Sequence, residues 1–272
     1  MDWLIAQDIL ETPTKCSKCG GVDFKRVKKS RQYRCTWYQC RAGVSVLDGT
    51  FFTGRKLPLH TIMCMAYFFL MQAPRKLIMT VSGVSTRTAS KYTAEFRLLI
   101  AEHLEDDDTL IGGPGIIVEI DESKFGKRKN HRGHQVDGSW VLGGVERTDE
   151  RKVFLQRVDK RDRRTLMEVI QKHVRSGSIV YTDCWKAYNC LTPRLGLEHK
   201  TVNHSLHFKD PKTGVHTNSI EGTWNKVKMN IAPRSYTKAI IKDHLLEFIW
   251  RRKHEDDLWE GFLGALGGVR YS

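Results

Sequence analysis

Apolar positions at helical spacing dominate the chain between residues 57 and 110. They predict a buried helix over residues 59–70, a break at residues 73–75 and a further pair of helices that reaches residue 104. Gly83 and the N-cap residue Ser85 separate the two members of that pair. This order is typical of a helix-turn-helix, which serves either to bind DNA or only to support the fold. The pattern alone allows both.

Short β-branched apolar runs replace the helical spacing after residue 116. Strands are predicted over residues 116–120, 139–146, 152–159 and 178–182, with a polar, basic loop over residues 124–137. Helices are predicted over residues 163–175, 186–191, 219–230 and 245–252. Three consecutive strands, a helix, a strand and then helices is the order of the ribonuclease H fold. We therefore predict the α/β class with a ribonuclease-H-like catalytic core.

Three acidic residues occupy the predicted ends of core elements. Asp121 and Asp183 each end a strand predicted to be buried, and Glu221 lies in the predicted helix 219–230. The first and fourth strands of a ribonuclease H fold lie side by side, so the two aspartates would be neighbours. A poorly solvated carboxylate needs a cation. The set predicts a site for two magnesium or manganese ions, able to activate a water or a 3′-hydroxyl against a DNA phosphate.

Each of these acids also has a structural interpretation. Asp121 could cap a turn, and Asp183 could cap the helix that follows it. Glu119 and Glu122 are interpreted as solvent-exposed or supporting residues, not as ligands. We favour metal binding because Glu122 adds negative charge beside Asp121. Two polar residues before the helical glutamate are expected to orient substrate or water, namely His216 and Asn218.

The charge balance points to a polyanionic partner. The 272 residues include 45 Lys and Arg against 31 Asp and Glu, a net charge of +14, which makes nucleic acid the first candidate. Residues 15–56 are especially basic, and the run at residues 25–31 is either a solvated face, a phosphate contact or a nuclear import signal. No secretory signal opens the chain, and its most apolar stretch is too short to cross a bilayer. We expect double-stranded DNA as the partner, no membrane, and a soluble intracellular location.

Two cysteine pairs predict a zinc ribbon near the start of the chain. Cys16 and Cys19 form the first pair, and Cys35 and Cys40 form the second. The second pair has four intervening residues where two is usual, and the alternative is four reduced cysteines in a basic hairpin. The predicted organisation is a ribbon region (1–56), a helix-turn-helix-like segment (57–110), the catalytic core (111–255) and a C-terminal tail (256–272).

Several long motifs resemble the Merlin superfamily of DDE transposases, which groups eukaryotic DNA transposons with related bacterial insertion-sequence enzymes. They are VEIDESKFGKR (118–128), WVLGGVER (140–147), DCWKAY (183–188), VNHS (202–205) and HTNSIEGTW (216–224). The resemblance covers nearly the whole chain, although the widened second cysteine pair departs from it. It implies that Asp121, Asp183 and Glu221 form the metal-binding triad and that Lys228 is a functional basic residue on the same helical face.

The same resemblance implies a function. It predicts cut-and-paste transposition at terminal inverted repeats, in the nucleus, by a homo-oligomer assembled on DNA. Two other functions fit the same acids: a domesticated DNA-binding protein, and a nuclease without strand transfer.

Overall fold

The chain folds into two compact units. The N-terminal unit comprises Met1–His103 together with Asp256–Ser272, and the sheet unit comprises Leu104–Glu255. This computed structural model describes residues 1–27, 30–126, 138–203, 206, 209–211 and 213–270. Most of the predicted basic loop, residues 28–29 of the basic run and residues 204–205 of the VNHS motif lie outside the described residues.

The two units contain nine helices and eight strands among the described residues. The helices are α1 (Asp2–Ala6), α2 (Leu59–Leu70), α3 (Arg75–Ser82), α4 (Thr86–Glu102), α5 (Arg163–His173), α6 (Leu191–Leu195), α7 (Asn218–Asn230), α8 (Ile241–Lys253) and α9 (Leu258–Gly268). The strands are β1 (Phe24–Arg26), β2 (Gln32–Cys35), β3 (Gly43–Ser45), β4 (Ile117–Phe125), β5 (Ser139–Glu146), β6 (Val153–Val158), β7 (Ile179–Asp183) and β8 (Glu198–Val202). None of these helices is both long and apolar enough to cross a membrane.

The N-terminal unit joins a small sheet to a helical core. Strands β1, β2 and β3 form an antiparallel sheet in that order. Helix α2 has the predicted bounds, and α3 ends at Gly83, whose positive φ of 67° suits a residue without a side chain. The Phe96 ring of α4 packs edge-on against Phe262 of α9, with ring centroids 5.5 Å apart. Within the predicted C-terminal tail, residues 258–268 thus form a helix that packs on α4.

The sheet unit is built on a five-stranded mixed sheet in the order β6-β5-β4-β7-β8. Strands β6, β5 and β4 pair antiparallel, whereas β4, β7 and β8 pair parallel. Successive side chains of β4 point to opposite faces of the sheet, and each face is covered by its own hydrophobic core. Val118 and Ile120 enter a core that includes α5 residues, and Phe125 enters a second core that includes α7 and α8 residues. The mixed α/β class is confirmed.

Two details of the predicted sheet were wrong. The first strand does not end at residue 120: its polar continuation pairs with β5 as far as Phe125, so Asp121 lies in the middle of a strand. Strand β8 was not predicted, because it is an edge strand with a polar sequence. Glu198, Lys200 and Thr201 are exposed there, and only Val202 is buried.

Candidate active site and cysteine cluster

Parallel pairing brings the two aspartates to neighbouring strands. Ile117 pairs with Ile179, and Glu119 pairs with Tyr181. Continued two residues past this last pair, the register would set Asp121 opposite Asp183. The side chain of Asp121 lies on the same face of β4 as those of Glu119 and Phe125. Helix α7, which carries Glu221, packs on β4 and β5 at that face.

Trp224 links helix α7 directly to Asp121. Its indole Nε1 donates a hydrogen bond to Asp121 Oδ2 at 3.0 Å. The ring lies over Gly143, which pairs with Asp121 in the antiparallel ladder. A Cβ atom at position 143 would stand 2.6 Å from the ring, so the glycine makes room for the indole. Trp224 is a core residue, and it also fixes the orientation of the aspartate.

The pKa of Asp121 reflects its burial and the charges of the other two predicted acids. Burial, with smaller contributions from the charges of Asp183 and Glu221, raises this pKa to about 6 against the opposing hydrogen bonds from the Glu122 backbone and Trp224. Asp183 Oδ1 accepts the backbone N–H of Trp185 at 2.9 Å, but the short 3-10 helix that follows (Lys186–Cys190) has Trp185 as its N-cap, so Asp183 does not cap it. A cation would stabilise a partly buried carboxylate that is repelled by neighbouring acids.

The carboxylate oxygens of Asp121, Asp183 and Glu221 lie farther apart than the ligand atoms of a single compact ion site. Among the described residues, the only group of three or more candidate ligands within 4.8 Å of one another is formed by cysteines. Two ions held about 3.5–4 Å apart do not require the acids to meet at one point. Carboxylate oxygens are the ligands that magnesium and manganese prefer. Asn218 adds a buried side-chain oxygen, one helical turn before Glu221, that has no hydrogen-bond partner among the described residues. The donors present are of the chemical type that such divalent ions take.

Glu122 belongs to the opposite face of the sheet. It accepts a hydrogen bond from the Tyr188 hydroxyl, and the guanidinium of Arg161 lies 4.0 Å away. Burial raises the pKa of Glu122 to about 7, with added repulsion from Asp121 and Asp183. Its side chain is 4% exposed, so of the two alternatives for Glu122, solvent exposure is wrong and the supporting role remains.

Glu119 is a buried residue, so of the two alternatives that the sequence left open, solvent exposure is wrong and the supporting role remains. Its carboxylate is fully buried, and Oε2 accepts the backbone N–H groups of Ser219 at 2.7 Å and Ile220 at 3.0 Å. These groups belong to the first turn of α7, where a negative charge is favourable. Oε1 pairs with Arg147 at 2.5 Å. In the sequence, the only sign of this role is that Glu119 lies two positions before Asp121, which puts both side chains on the same face of the strand.

Arg147 extends this network to the segment before α7. It donates to the carbonyl oxygen of His216 and contacts His216 Nδ1, both at 2.8 Å. Desolvation, followed by the charge of Arg147, lowers the pKa of His216. The His216 side chain therefore supports the start of α7 rather than facing a substrate, which differs from the sequence interpretation.

Lys228 lies further along α7, on the side of the predicted acids. Its Nζ atom lies 5.6 Å from the centre of the Phe125 ring. Desolvation lowers the pKa of Lys228, while the charge of Asp121 acts in the opposite direction. The structure thus brings this cation within electrostatic reach of Asp121.

Four cysteines converge in the N-terminal unit. The sulfur atoms of Cys16, Cys19, Cys35 and Cys40 lie within 4.8 Å of one another. The Cys16–Cys40 and Cys19–Cys35 sulfur distances are 3.7 and 3.5 Å. A tetrahedral zinc ion with Zn–S bonds of about 2.3 Å has S–S edges of about 3.8 Å. The four thiols fit such an ion.

The widened second pair is accommodated by a turn. Cys35 ends β2 and donates its N–H to the carbonyl of Ala42, while Cys40 donates to the carbonyl of Trp37 at 3.0 Å. In the first pair, backbone N–H groups of Cys19 and Lys18 lower the pKa of the Cys16 thiol to about 7. A thiol that ionises readily is suited to metal binding.

Comparison with known proteins identifies the family. The model of the ISXO2-like transposase domain matches residues 100–252, more than half of the chain. The chain belongs to the ISXO2-like transposase family. A protein of Haemophilus influenzae (strain ATCC 51907 / DSM 11121 / KW20 / Rd), named "Uncharacterized transposase-like protein", is 31% identical over 101 residues, which cover 37% of this chain and 80% of that protein. The domain matched in this transposase contains all four predicted core residues: Asp121, Asp183, Glu221 and Lys228. Membership of a transposase family implies DNA binding.

Proposed function

We propose that the chain is a DDE transposase that cleaves DNA at terminal inverted repeats and joins the freed ends to target DNA. The observation that carries this proposal is the parallel pairing of β4 and β7, the strands that contain Asp121 and Asp183, beside the helix that bears Glu221. Within a transposase family, three partly buried acids on two neighbouring strands and the helix beside them are best explained as the catalytic triad.

We also propose that the sheet unit has a ribonuclease-H-like core. Three antiparallel strands, a helix, a parallel strand, a further helix and a second parallel strand follow one another in the chain. The strand order β6-β5-β4-β7-β8 supports this proposal, because it puts the first and fourth strands of the unit side by side. The motifs around the three acids lead us to assign the chain to the Merlin superfamily.

Asp121, Asp183 and Glu221 would hold two magnesium or manganese ions. Such ions, when bound, supply electrostatic stabilisation of an attacked phosphate and activate the oxygen nucleophile. Trp224 orients the Asp121 carboxylate through its N–H group, and Glu119 holds the first turn of the Glu221 helix against β4. Both strand cleavage and strand transfer are in-line displacements at phosphorus, which one such site can serve in turn.

Lys228 would contact the phosphate backbone of the bound DNA end. Its ammonium group is partly desolvated near Asp121, so it can neutralise a phosphate without leaving the acid face. We expect Lys228→Ala to lower strand transfer more than metal binding, because no ligand of the ions is removed.

Cys16, Cys19, Cys35 and Cys40 would hold a structural zinc ion. The three strands beside the cluster have only three or four residues each, too few to bury a core of their own. A bound ion would therefore stabilise the ribbon. The ribbon and helices α3 and α4 would bind the terminal repeats, as a homo-oligomer on DNA and, in a eukaryotic host, in the nucleus.

The experiment that tests the proposal supplies a duplex carrying the inverted repeats that flank the gene, with a plasmid target and magnesium or manganese. Wild-type protein should cleave the repeat and join it to the plasmid, and Asp183→Asn should bind the repeat without cleaving it. If the wild type cleaves the repeat but does not join it to the plasmid, the protein is a nuclease without strand transfer. If the wild type binds the repeat but does not cleave it, the protein is a domesticated DNA-binding protein. Cleavage by Asp183→Asn at the wild-type rate would refute the triad.

A further inference from the structure

A basic cavity of about 570 Å³ lies in the N-terminal unit, between the loop at residues 53–57 and the first half of α4. Four cationic side chains line it, and a single acid does so. The cations are Arg55, Lys56, Arg87 and Lys91, and the acid is Glu95. The lining also includes the hydroxyl-bearing Thr53 and Thr88, which suit an oxyanion.

The acidic residue, Glu95, already interacts with two of the four cations. Glu95 forms an ion pair with Arg55 and lies 3.7 Å from Lys91 Nζ. The guanidinium of Arg55 is stacked over Phe51, 3.9 Å from the ring centre, so its position is fixed. Lys56 and Arg87 are exposed and make no ion pair with any other described residue. The cavity therefore keeps an excess of positive charge.

The start of α4 adds to this positive potential. The 17-residue helix begins after Ser85, whose side chain accepts the N–H of Thr88 at 3.2 Å. The remaining N–H groups of the first turn and the helix dipole favour a nearby anion. Arg87 and Lys91 are four residues apart and so lie on one face, about one turn of helix from each other.

We propose that this cavity binds the phosphate backbone of double-stranded DNA and thereby docks the first turns of α4 against the duplex. Helix α3, the left-handed Gly83 and the capped α4 follow one another as in a helix-turn-helix, where the second helix turns its N-terminal residues toward the groove. Three separate, exposed cations, Lys56 in the loop and Arg87 and Lys91 on α4, suit a chain of phosphates better than a single small anion. The inference rests on the proposed function, since it names which part of the transposase contacts DNA.

The test measures binding of a mixed-sequence DNA duplex by fluorescence anisotropy, in EDTA and over a range of salt concentrations. Lys56→Gln, Arg87→Gln and Lys91→Gln should each weaken binding by about 3- to 10-fold at low salt. Each should reduce the slope of log affinity against log salt by about 0.9 for every phosphate that the variant no longer neutralises. Glu95→Gln removes the one acid and should strengthen binding.

Lys172→Gln is the matched control, because Lys172 is an exposed lysine on α5 in the other unit. It removes the same charge and should leave the salt slope unchanged. Circular dichroism confirms that each variant is folded. Unchanged slopes in the three cavity variants, or an equal loss in Lys172→Gln, would overturn the proposal. Equal affinity and slope for duplex RNA would overturn the assignment of DNA as the ligand.

Failure of this inference is separable from failure of the proposed chemistry. Binding is measured in EDTA, where no cleavage occurs, and the cleavage assay is run apart from it. A wild type that binds with the expected slopes but does not cleave would refute the chemistry alone. If the wild type cleaves DNA and the cavity variants keep the wild-type salt dependence of DNA affinity, only the proposal that the cavity binds DNA is refuted.

Discussion

Glu119 Oε2 lies 2.7 Å from the backbone nitrogen of Ser219, and this hydrogen bond ties the central strand to the helix that carries Glu221. Asp121 lies two residues after Glu119 on the strand, and Glu221 lies two residues after Ser219 on the helix. One buried carboxylate therefore sets the spacing between two proposed metal ligands. The negative charge of Glu119 is stabilised by the ion pair with Arg147 and by the backbone N–H groups in the first turn of the helix.

We expect Glu119→Gln to lower the rate of strand cleavage by roughly 10- to 100-fold while leaving DNA binding unchanged. The amide keeps the shape of the side chain but loses the charge that pairs with Arg147, so the helix is held less firmly, and supports of this kind typically contribute such factors. The measurement is the cleavage rate as a function of manganese concentration.

The control for that experiment is Glu150→Gln, which removes an acid that is 70% exposed in the turn between β5 and β6. It should cleave at the wild-type rate. If Glu119→Gln shows the wild-type rate and the wild-type manganese dependence, Glu119 has only a general role in folding.

Gly143→Ala should disturb Asp121 through Trp224. The added methyl group would stand 2.6 Å from the indole ring, so the ring must move and its hydrogen bond to Asp121 must lengthen or break. Overpacking of this kind costs about 1–3 kcal/mol of stability. We expect a lower melting temperature together with weaker manganese binding, measured by thermal unfolding with and without the ion.

Gly222→Ala provides the matched comparison. Gly222 lies on the same helix as Trp224, and a Cβ atom there would meet nothing within 4 Å. It should keep manganese binding and gain slightly in stability, because alanine favours the helix. Wild-type manganese binding in Gly143→Ala would show that the Trp224 hydrogen bond does not orient the aspartate.

The sequence predicted the elements that carry strong periodicity and the acids that follow them. Helix α2 and strand β5 have the predicted bounds, because their apolar positions are regular. It could not give the continuation of β4 past Asp121, where polar residues are held by pairing with β5. Ladder pairing is a tertiary effect, and local patterns do not contain it.

The supporting residues of the site were hidden for a related reason. Glu119 stands in an apolar strand, and nothing local shows that the helix start a hundred residues later will satisfy its carboxylate. Likewise, the spacing of Trp224 predicts a core residue, but its hydrogen bond to Asp121 depends on how the helix crosses the sheet. Long-range contacts of this kind are specified only by the packed structure.

Removal of zinc should unfold the ribbon and leave the sheet unit folded. The four cysteines are the element that joins the short strands, and binding of a structural ion is coupled to folding. Metal analysis should find about one zinc per chain. Cys40→Ser should lower that content, whereas Cys184→Ser, an exposed cysteine outside the cluster, should not. A folded ribbon that contains no zinc would contradict the assignment.

Asp121→Asn should stabilise the metal-free protein at neutral pH while destroying its activity. The pKa of Asp121 is raised from 3.8 to about 6, so the folded state binds its proton more tightly than the unfolded state does. Stability from this group is therefore fully present below about pH 4 and is lost as the pH rises through 6, a loss of about 3 kcal/mol at most. The asparagine carries no charge and avoids that loss of stability.

Thermal unfolding in EDTA should give the variant a higher melting temperature than the wild type at pH 7.5, and the two melting temperatures should converge near pH 4. Manganese should raise the melting temperature of the wild type more than that of the variant, since bound ions offset the buried charge. A variant that melts below the wild type at pH 7.5 in EDTA would show that Asp121 is not destabilised by its burial among the other acids.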